Sequence, residues 1–239
     1  MEDRIEVSTS HGQVWFHGRD TGRPVMLLLT GAFAEANVLD HAQPFLPDID
    51  LWRAHLPGNH CPPIEPVSVA NFAAAYTEAL DTRAPGRPVA AVGLSTGALV
   101  VMALRARGLK SMLLVEPPLR SADCWPLFAF REQGPANWEA LIEPVFGIGR
   151  ESARPTDYAP LLDTLAVPAL ALAGDIPLQP KRPLDVMPSL VDAESRVLLA
   201  AHPRIRLEEL PGVGHNVPAQ APERFLNALL RVARVAAAQ

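Results

Sequence analysis

Cysteine is scarce in this chain. Cys61 and Cys124 are the only 2 in 239 residues, too few and too far apart for a disulfide framework or a zinc site. No His-x-x-x-His or Cys-x-x-Cys pattern occurs, and His41, His55, His60 and His202 have no metal-ligand spacing. Neither a metal nor a cofactor is therefore expected. Lysine is limited to Lys110 and Lys181, so the basic residues are nearly all arginine, a bias from which no function follows. The net charge of −5 comes with no basic cluster, which argues against nucleic-acid and anionic-membrane partners. No apolar run reaches the length of a membrane-spanning helix. The opening Met-Glu-Asp-Arg-Ile-Glu lacks the basic and apolar regions of a signal peptide, so a cytoplasmic location with reduced thiols is expected. Internal repeats and low-complexity tracts are also missing.

What is present reads as globular: 49% of residues are hydrophobic and 20% charged. The length suits one large α/β domain. Short strands are expected at Ile5–Thr9 and Gln13–His17, around a turn at His11-Gly12. Pro24–Thr30 is a continuous apolar run, as in a strand covered on both faces. Further strands are expected at 49–55, 89–92, 111–115, 167–173 and 205–210. Helical spacing occupies Val67–Arg83 with Ser68 as N-cap, Ala98–Arg107 with Gly108 as C-cap, 188–201 and Pro222–Ala237. The last places Phe225, Leu229 and Val232 on one face. Strands alternating with helices imply a mostly parallel sheet with helices on both faces. The alternation breaks at about 117–165, a Pro- and Trp-rich stretch with short helices expected at 125–132, 137–145 and 157–165. Its size suits a small helical cap inserted into one domain spanning 1–239. Trp125, Phe128, Phe130, Trp138 and Phe146 could line a pocket or simply pack the insertion onto the core.

Chemistry concentrates in Val92-Gly93-Leu94-Ser95-Thr96-Gly97. An apolar strand ends in Gly-x-Ser-x-Gly and a helix follows. That sharp turn projects the Ser95 hydroxyl off a strand end, and a Cβ at either glycine would collide with a neighbour. A serine nucleophile needs a base within reach, itself oriented by a third group. His215 has the right context. It lies in Gly212-Val213-Gly214-His215, after the last expected strand and on the same carboxyl edge as Ser95.

Five landmarks in order make the chain resemble the α/β-hydrolase superfamily over essentially its whole length. Beside the elbow and the Gly-Val-Gly-His segment, Leu27-Leu-Leu-Thr-Gly-Ala-Phe33 is similar to the strand and turn that carry an oxyanion donor. Thr30 stands where the family usually has histidine. Leu56-Pro-Gly-Asn-His60 is similar to the family's Leu-Pro-Gly-His-Gly turn, and Glu116-Pro-Pro sits where such proteins enter their cap. The resemblance implies Ser95 as nucleophile, His215 as general base and acid, and an oxyanion hole from the backbone N–H of Thr96 and of Ala32 or Phe33. For the acid it implies the loop after the strand at 167–173, where Asp175 is the first choice although Pro177 holds the habitual position. Glu116, at the end of the neighbouring strand, is the alternative, and Asp185 comes third. The implied activity is carboxylesterase-like (EC 3.1.1) hydrolysis of a small or medium ester or related acyl substrate through an acyl-enzyme. A serine at the elbow argues against dehalogenases and epoxide hydrolases, which use Asp. Thioester, C–C-bond, lyase or cyclase chemistry remains open on this fold, as does a non-catalytic ligand-binding role.

Overall fold

The computed structural model describes residues 4–131, 134 and 138–238. Glu132 and Asn137, at the ends of two expected helices, lie outside the described residues. Eight strands form one sheet: β1 (Arg4–Thr9), β2 (Gly12–His17), β3 (Val25–Leu29), β4 (Asp50–Ala54), β5 (Val89–Leu94), β6 (Leu109–Val115), β7 (Ala169–Gly174) and β8 (Ile205–Leu210). Their spatial order is β1-β2-β4-β3-β5-β6-β7-β8. β1, β2 and β4 pair antiparallel, whereas every pair from β4 through β8 is parallel.

The continuous apolar runs explain why β3 and β5 lie inside the sheet. In β3, Val25, Leu27 and Leu29 point into one core and Met26 and Leu28 into the other, so the period-2 alternation of a strand feeds two hydrophobic layers. The first layer receives α1 (Val69–Arg83) and α2 (Thr96–Ala103). The second receives α7 (Pro222–Ala237), whose Phe225, Ala228, Leu229, Val232, Ala233 and Ala236 are buried. Ser68 caps α1 as expected, its hydroxyl accepting the Asn71 N–H at 3.1 Å.

Three expectations are corrected. The helix after Ser95 ends at Ala103, not Arg107, and Gly108 does not cap it. Residues 104–107 alternate buried Leu104 and Ala106 with exposed Arg105 and Arg107, a two-residue period that favours extended chain over helix. The helix expected at 188–201 is α5 (Ala193–Ala201), started by Asp192, whose Oδ1 accepts the Ser195 N–H at 2.9 Å. A 3₁₀ stretch at Ala36–Phe45 and a short α6 (Val217–Gln220) had no sequence signal. Between β6 and β7 the 117–165 segment carries α3 (Trp125–Phe130), α4 (Trp138–Phe146) and a 3₁₀ turn, Ala159–Thr164. Among the described residues no helix is long and apolar enough to cross a membrane.

Candidate active site

Ser95 sits between β5 and α2 with φ 52° and ψ −119°, a left-handed conformation that a non-glycine residue holds only when its surroundings impose it. The surroundings are backbone. A Cβ on Gly93 would lie 2.3 Å from Gly97 O, and one on Gly97 would lie 2.5 Å from Leu29 O. The elbow is thus wedged between β5 and the end of β3. The Ser95 N–H is held by Val115 O at 2.8 Å, and Ser95 O accepts the Ala98 N–H at 2.8 Å. Thr96 opens α2, so its N–H is one of the helix-terminal donors without an intrahelical acceptor.

The turn after β3 faces the same serine. A Cβ on Gly31 would come within 3.2 Å of Ser95 Cβ and 3.8 Å of its Oγ, so a larger residue there would crowd the serine. Ala32 and Phe33 follow, with Phe33 at φ 63°. Its ring stacks on Trp138 of α4, with centroids 5.8 Å apart and planes 22° apart.

His215 lies on the loop after β8, its N–H bonded to Met187 O at 3.0 Å. Its Nδ1 is 3.1 Å from Glu116 Oε2. Glu116 follows β6 directly at φ 54° and is 1% exposed. Such a buried carboxylate needs donors, and it has them. Oε1 accepts the Gly174 N–H at 2.6 Å and the Ser189 hydroxyl at 2.9 Å, and Oε2 also accepts the Leu190 N–H at 2.9 Å. The Arg196 guanidinium donates to Ser189 Oγ at 2.9 Å, which places a cation one hydroxyl away from the carboxylate.

Asp175, the first choice for the acid, is not beside His215. It is exposed, and its Oδ1 accepts the Gly212 N–H at 2.7 Å, tying the end of β7 to the turn after β8. Asp185 is exposed as well. The carboxylate on the histidine is Glu116. From a strand already flanked by β5 and β7, its longer side chain reaches beneath the end of β7, where Gly174 offers an N–H.

Ser95, Thr96, Gly31, Ala32, Phe33 and His215 all border one cavity of about 790 Å³. The 117–165 segment supplies Leu127, Phe130, Gly134, Trp138, Ile142 and Phe146 to its wall. Trp125 and Phe128 lie elsewhere: Trp125 donates its Nε1–H to Leu178 O and packs beside Cys124 and Leu190, and Phe128 packs against the main core. His41, Met187, Leu190 and Asn216 also line the cavity. Sequence reasoning missed these because their approach depends on loop paths that no local pattern encodes. Among the described residues no group of three or more His, Cys, Asp or Glu side chains could hold a metal ion.

A sheet of this order with a strained serine at its carboxyl edge defines a class of α/β enzymes. A profile of the alpha/beta hydrolase family matches residues 14–228, and the chain belongs to that family. A search among curated proteins found no match. Among solved structures the chain is similar to a thermophilic esterase from Thermogutta terrifontis, at 18% identity and TM-score 0.67, covering 97% of this chain and 98% of that one. It is similar to a carboxylesterase from Bacillus subtilis at 15% identity and TM-score 0.66, with coverages of 97% and 91%. It is also similar to the thioesterase domain from the curacin biosynthetic pathway at 16% identity and TM-score 0.65, with coverages of 96% and 99%. At these identities the likeness is one of fold.

Proposed function

We propose that the protein is a serine hydrolase that cleaves small to medium uncharged carboxylic esters through an acyl-enzyme. The observation that carries this reading is the buried Glu116–His215 pair sharing a cavity with the left-handed Ser95. With its Nδ1–H given to Glu116, the imidazole presents a basic Nε2. Ser95 Oγ adds to the ester carbonyl as its proton passes to His215 Nε2. The resulting oxyanion is received by the Thr96 N–H and by that of Ala32 or Phe33. Collapse breaks the bond to the alcohol oxygen, which leaves with the proton from His215. A water then repeats the sequence on the acyl-enzyme and frees the acid and Ser95. Glu116 stabilises the transient imidazolium throughout, as the orienting carboxylate of such triads does.

The esterases among the structural neighbours are consistent with this chemistry. So is a largely apolar cavity wall whose larger hydrophobic side chains are Leu, Ile, Phe, Trp and Met. Burial pushes the Cys61 thiol up to about 11 and the Cys124 thiol up to about 12, so neither is an activated nucleophile. Two free thiols also suit the cytoplasm, where we place the protein.

The test is Ser95→Ala. Turnover of short p-nitrophenyl esters and covalent labelling by a fluorophosphonate should both vanish while the far-UV circular dichroism stays unchanged. Esterase activity retained in that variant would refute the assignment. Absence of labelling in the unaltered protein would move the site to non-hydrolytic chemistry.

A further inference from the structure

We infer that His55 is a positioning residue that latches the oxyanion turn by accepting a backbone N–H on its neutral imidazole. The inference rests on the hydrolase reading above and extends it to a residue outside the cavity wall.

The turn from Gly31 to Ala36 has little to hold it from within. Its internal backbone bond, Ala34 N–H to Gly31 O, is long at 3.3 Å, and Phe33 occupies a left-handed conformation that costs of order 1 kcal/mol or more. Its shape is imposed from outside. Ala34 O accepts both the Asn59 side-chain N–H and the Thr30 hydroxyl, each at 3.1 Å. The Ala36 N–H donates to His55 Nε2 at 2.9 Å. These hooks fall one to three residues past the Phe33 amide, close enough to fix the direction in which the amides of residues 32 and 33 point. An oxyanion donor misaimed by a fraction of an ångström loses much of its worth, because its benefit comes from being preorganised.

The latch is itself anchored. His55 directly follows β4, whose Ala54 pairs with Leu29 at the end of β3, so the two strand ends deliver the histidine and the turn side by side. Tyr76 of α1 donates its hydroxyl to His55 O. For Nε2 to accept, the ring proton must reside on Nδ1, and the ring must be uncharged. The groups facing it favour the uncharged ring: His17 from β2 with centroids 5.3 Å apart, His60 from the following turn at 5.2 Å, and Arg53 from β4. Burial first, then these neighbours, lower its pKa to about 4. A protonated ring would set an N–H against the Ala36 N–H and open the latch.

The experiment compares His55→Leu, which removes the acceptor, with His55→Gln, whose Oε1 can replace Nε2 without titrating. His55→Leu should lower kcat by about tenfold or more and change KM less than about threefold. It should weaken inhibition by an alkylboronic acid in parallel with kcat. That inhibitor adds to Ser95 Oγ, passes the serine proton to His215, and mimics the tetrahedral intermediate. His55→Gln should recover both to within about threefold. Amide exchange across residues 31–36 should accelerate in the Leu variant and return to normal in the Gln variant. A Leu variant with unchanged kcat, boronate affinity and exchange overturns the latch while leaving the hydrolase reading intact. So does a loss that Gln fails to rescue. An unaltered protein that neither turns over esters nor reacts with a fluorophosphonate fails the hydrolase reading, and the positioning role with it.

Discussion

Two acidic residues compete for one role, and their surroundings separate them. Asp175 is exposed and spends an oxygen on the Gly212 amide, whereas Glu116 is buried and accepts four hydrogen bonds, one of them from His215. Glu116→Gln should lower kcat/KM by about 10³- to 10⁴-fold, since an amide there cannot stabilise the imidazolium and favours the wrong tautomer. Asp175→Asn should stay within about threefold of the unaltered protein, as an amide oxygen can still accept the Gly212 N–H. Steady-state kinetics on one ester rank the two, and the reverse ranking would return the acid to the loop after β7. The turn at Ser95 was legible from six consecutive residues because its constraint is local. The Glu116–His215 contact was legible only as an alternative, because the donors to Glu116 come from residues 174, 189, 190 and 215, and no local pattern announces such a convergence. His55 carries a separate prediction, on stability. Its pKa is about 4 when folded against a usual 6.5, so between these values the unfolded chain binds more proton. Stability therefore rises with pH across that window and is flat above it. From pH 7 down to 4 this one group should remove about 2–3 kcal/mol. Urea titrations at both pH values should show the loss, and His55→Gln should reduce it by about that amount.

At the scale of elements, the elbow shows how tightly β3, β5 and α2 are fitted together. Gly97→Ala would drive a methyl to 2.5 Å from Leu29 O and 2.6 Å from Thr30 O, both backbone atoms that cannot swing aside. The expected cost is about 4 kcal/mol or more, read as a large fall in Tm or as failure to accumulate folded protein. Gly86→Ala is the contrast. It has φ 71° but nothing within 4 Å, so only conformational strain of about 1 kcal/mol should appear. Equal losses at the two positions would contradict the steric account. Elements with a strong period were legible: α7 keeps its expected bounds, and β3 and β5 show their double burial as unbroken apolar runs. The helix after Ser95 was overextended because Ala98–Arg107 lacks Gly and Pro and so has the propensity for helix. The burial of Leu104 and Ala106 then prevails over propensity.

In the molecule as a whole the candidate site lies at a seam, with the carboxyl edge of the sheet on one side and α3 and α4 on the other. Among the described residues bordering the cavity, His41 and His215 are the only titratable ones, and no Asp, Glu, Arg or Lys is present. A carboxylate buried there would lose its hydration without gaining a cation, a penalty of several kcal/mol. A neutral acyl chain would instead bury apolar surface at about 25 cal/mol per Å². Selectivity should therefore follow charge before length. Between p-nitrophenyl hexanoate and the p-nitrophenyl monoester of adipic acid, which has the same number of acyl carbons, kcat/KM should favour the neutral ester by about a hundredfold or more. Ile142 on α4 borders the cavity and is 2% exposed. Ile142→Trp should shift the preferred acyl length to shorter chains while leaving acetate hydrolysis within about threefold, because the added ring takes volume from the cavity. Equal turnover of the neutral and anionic esters would mean that the acyl group lies outside this cavity, and the substrate would then have to enter from another side of Ser95.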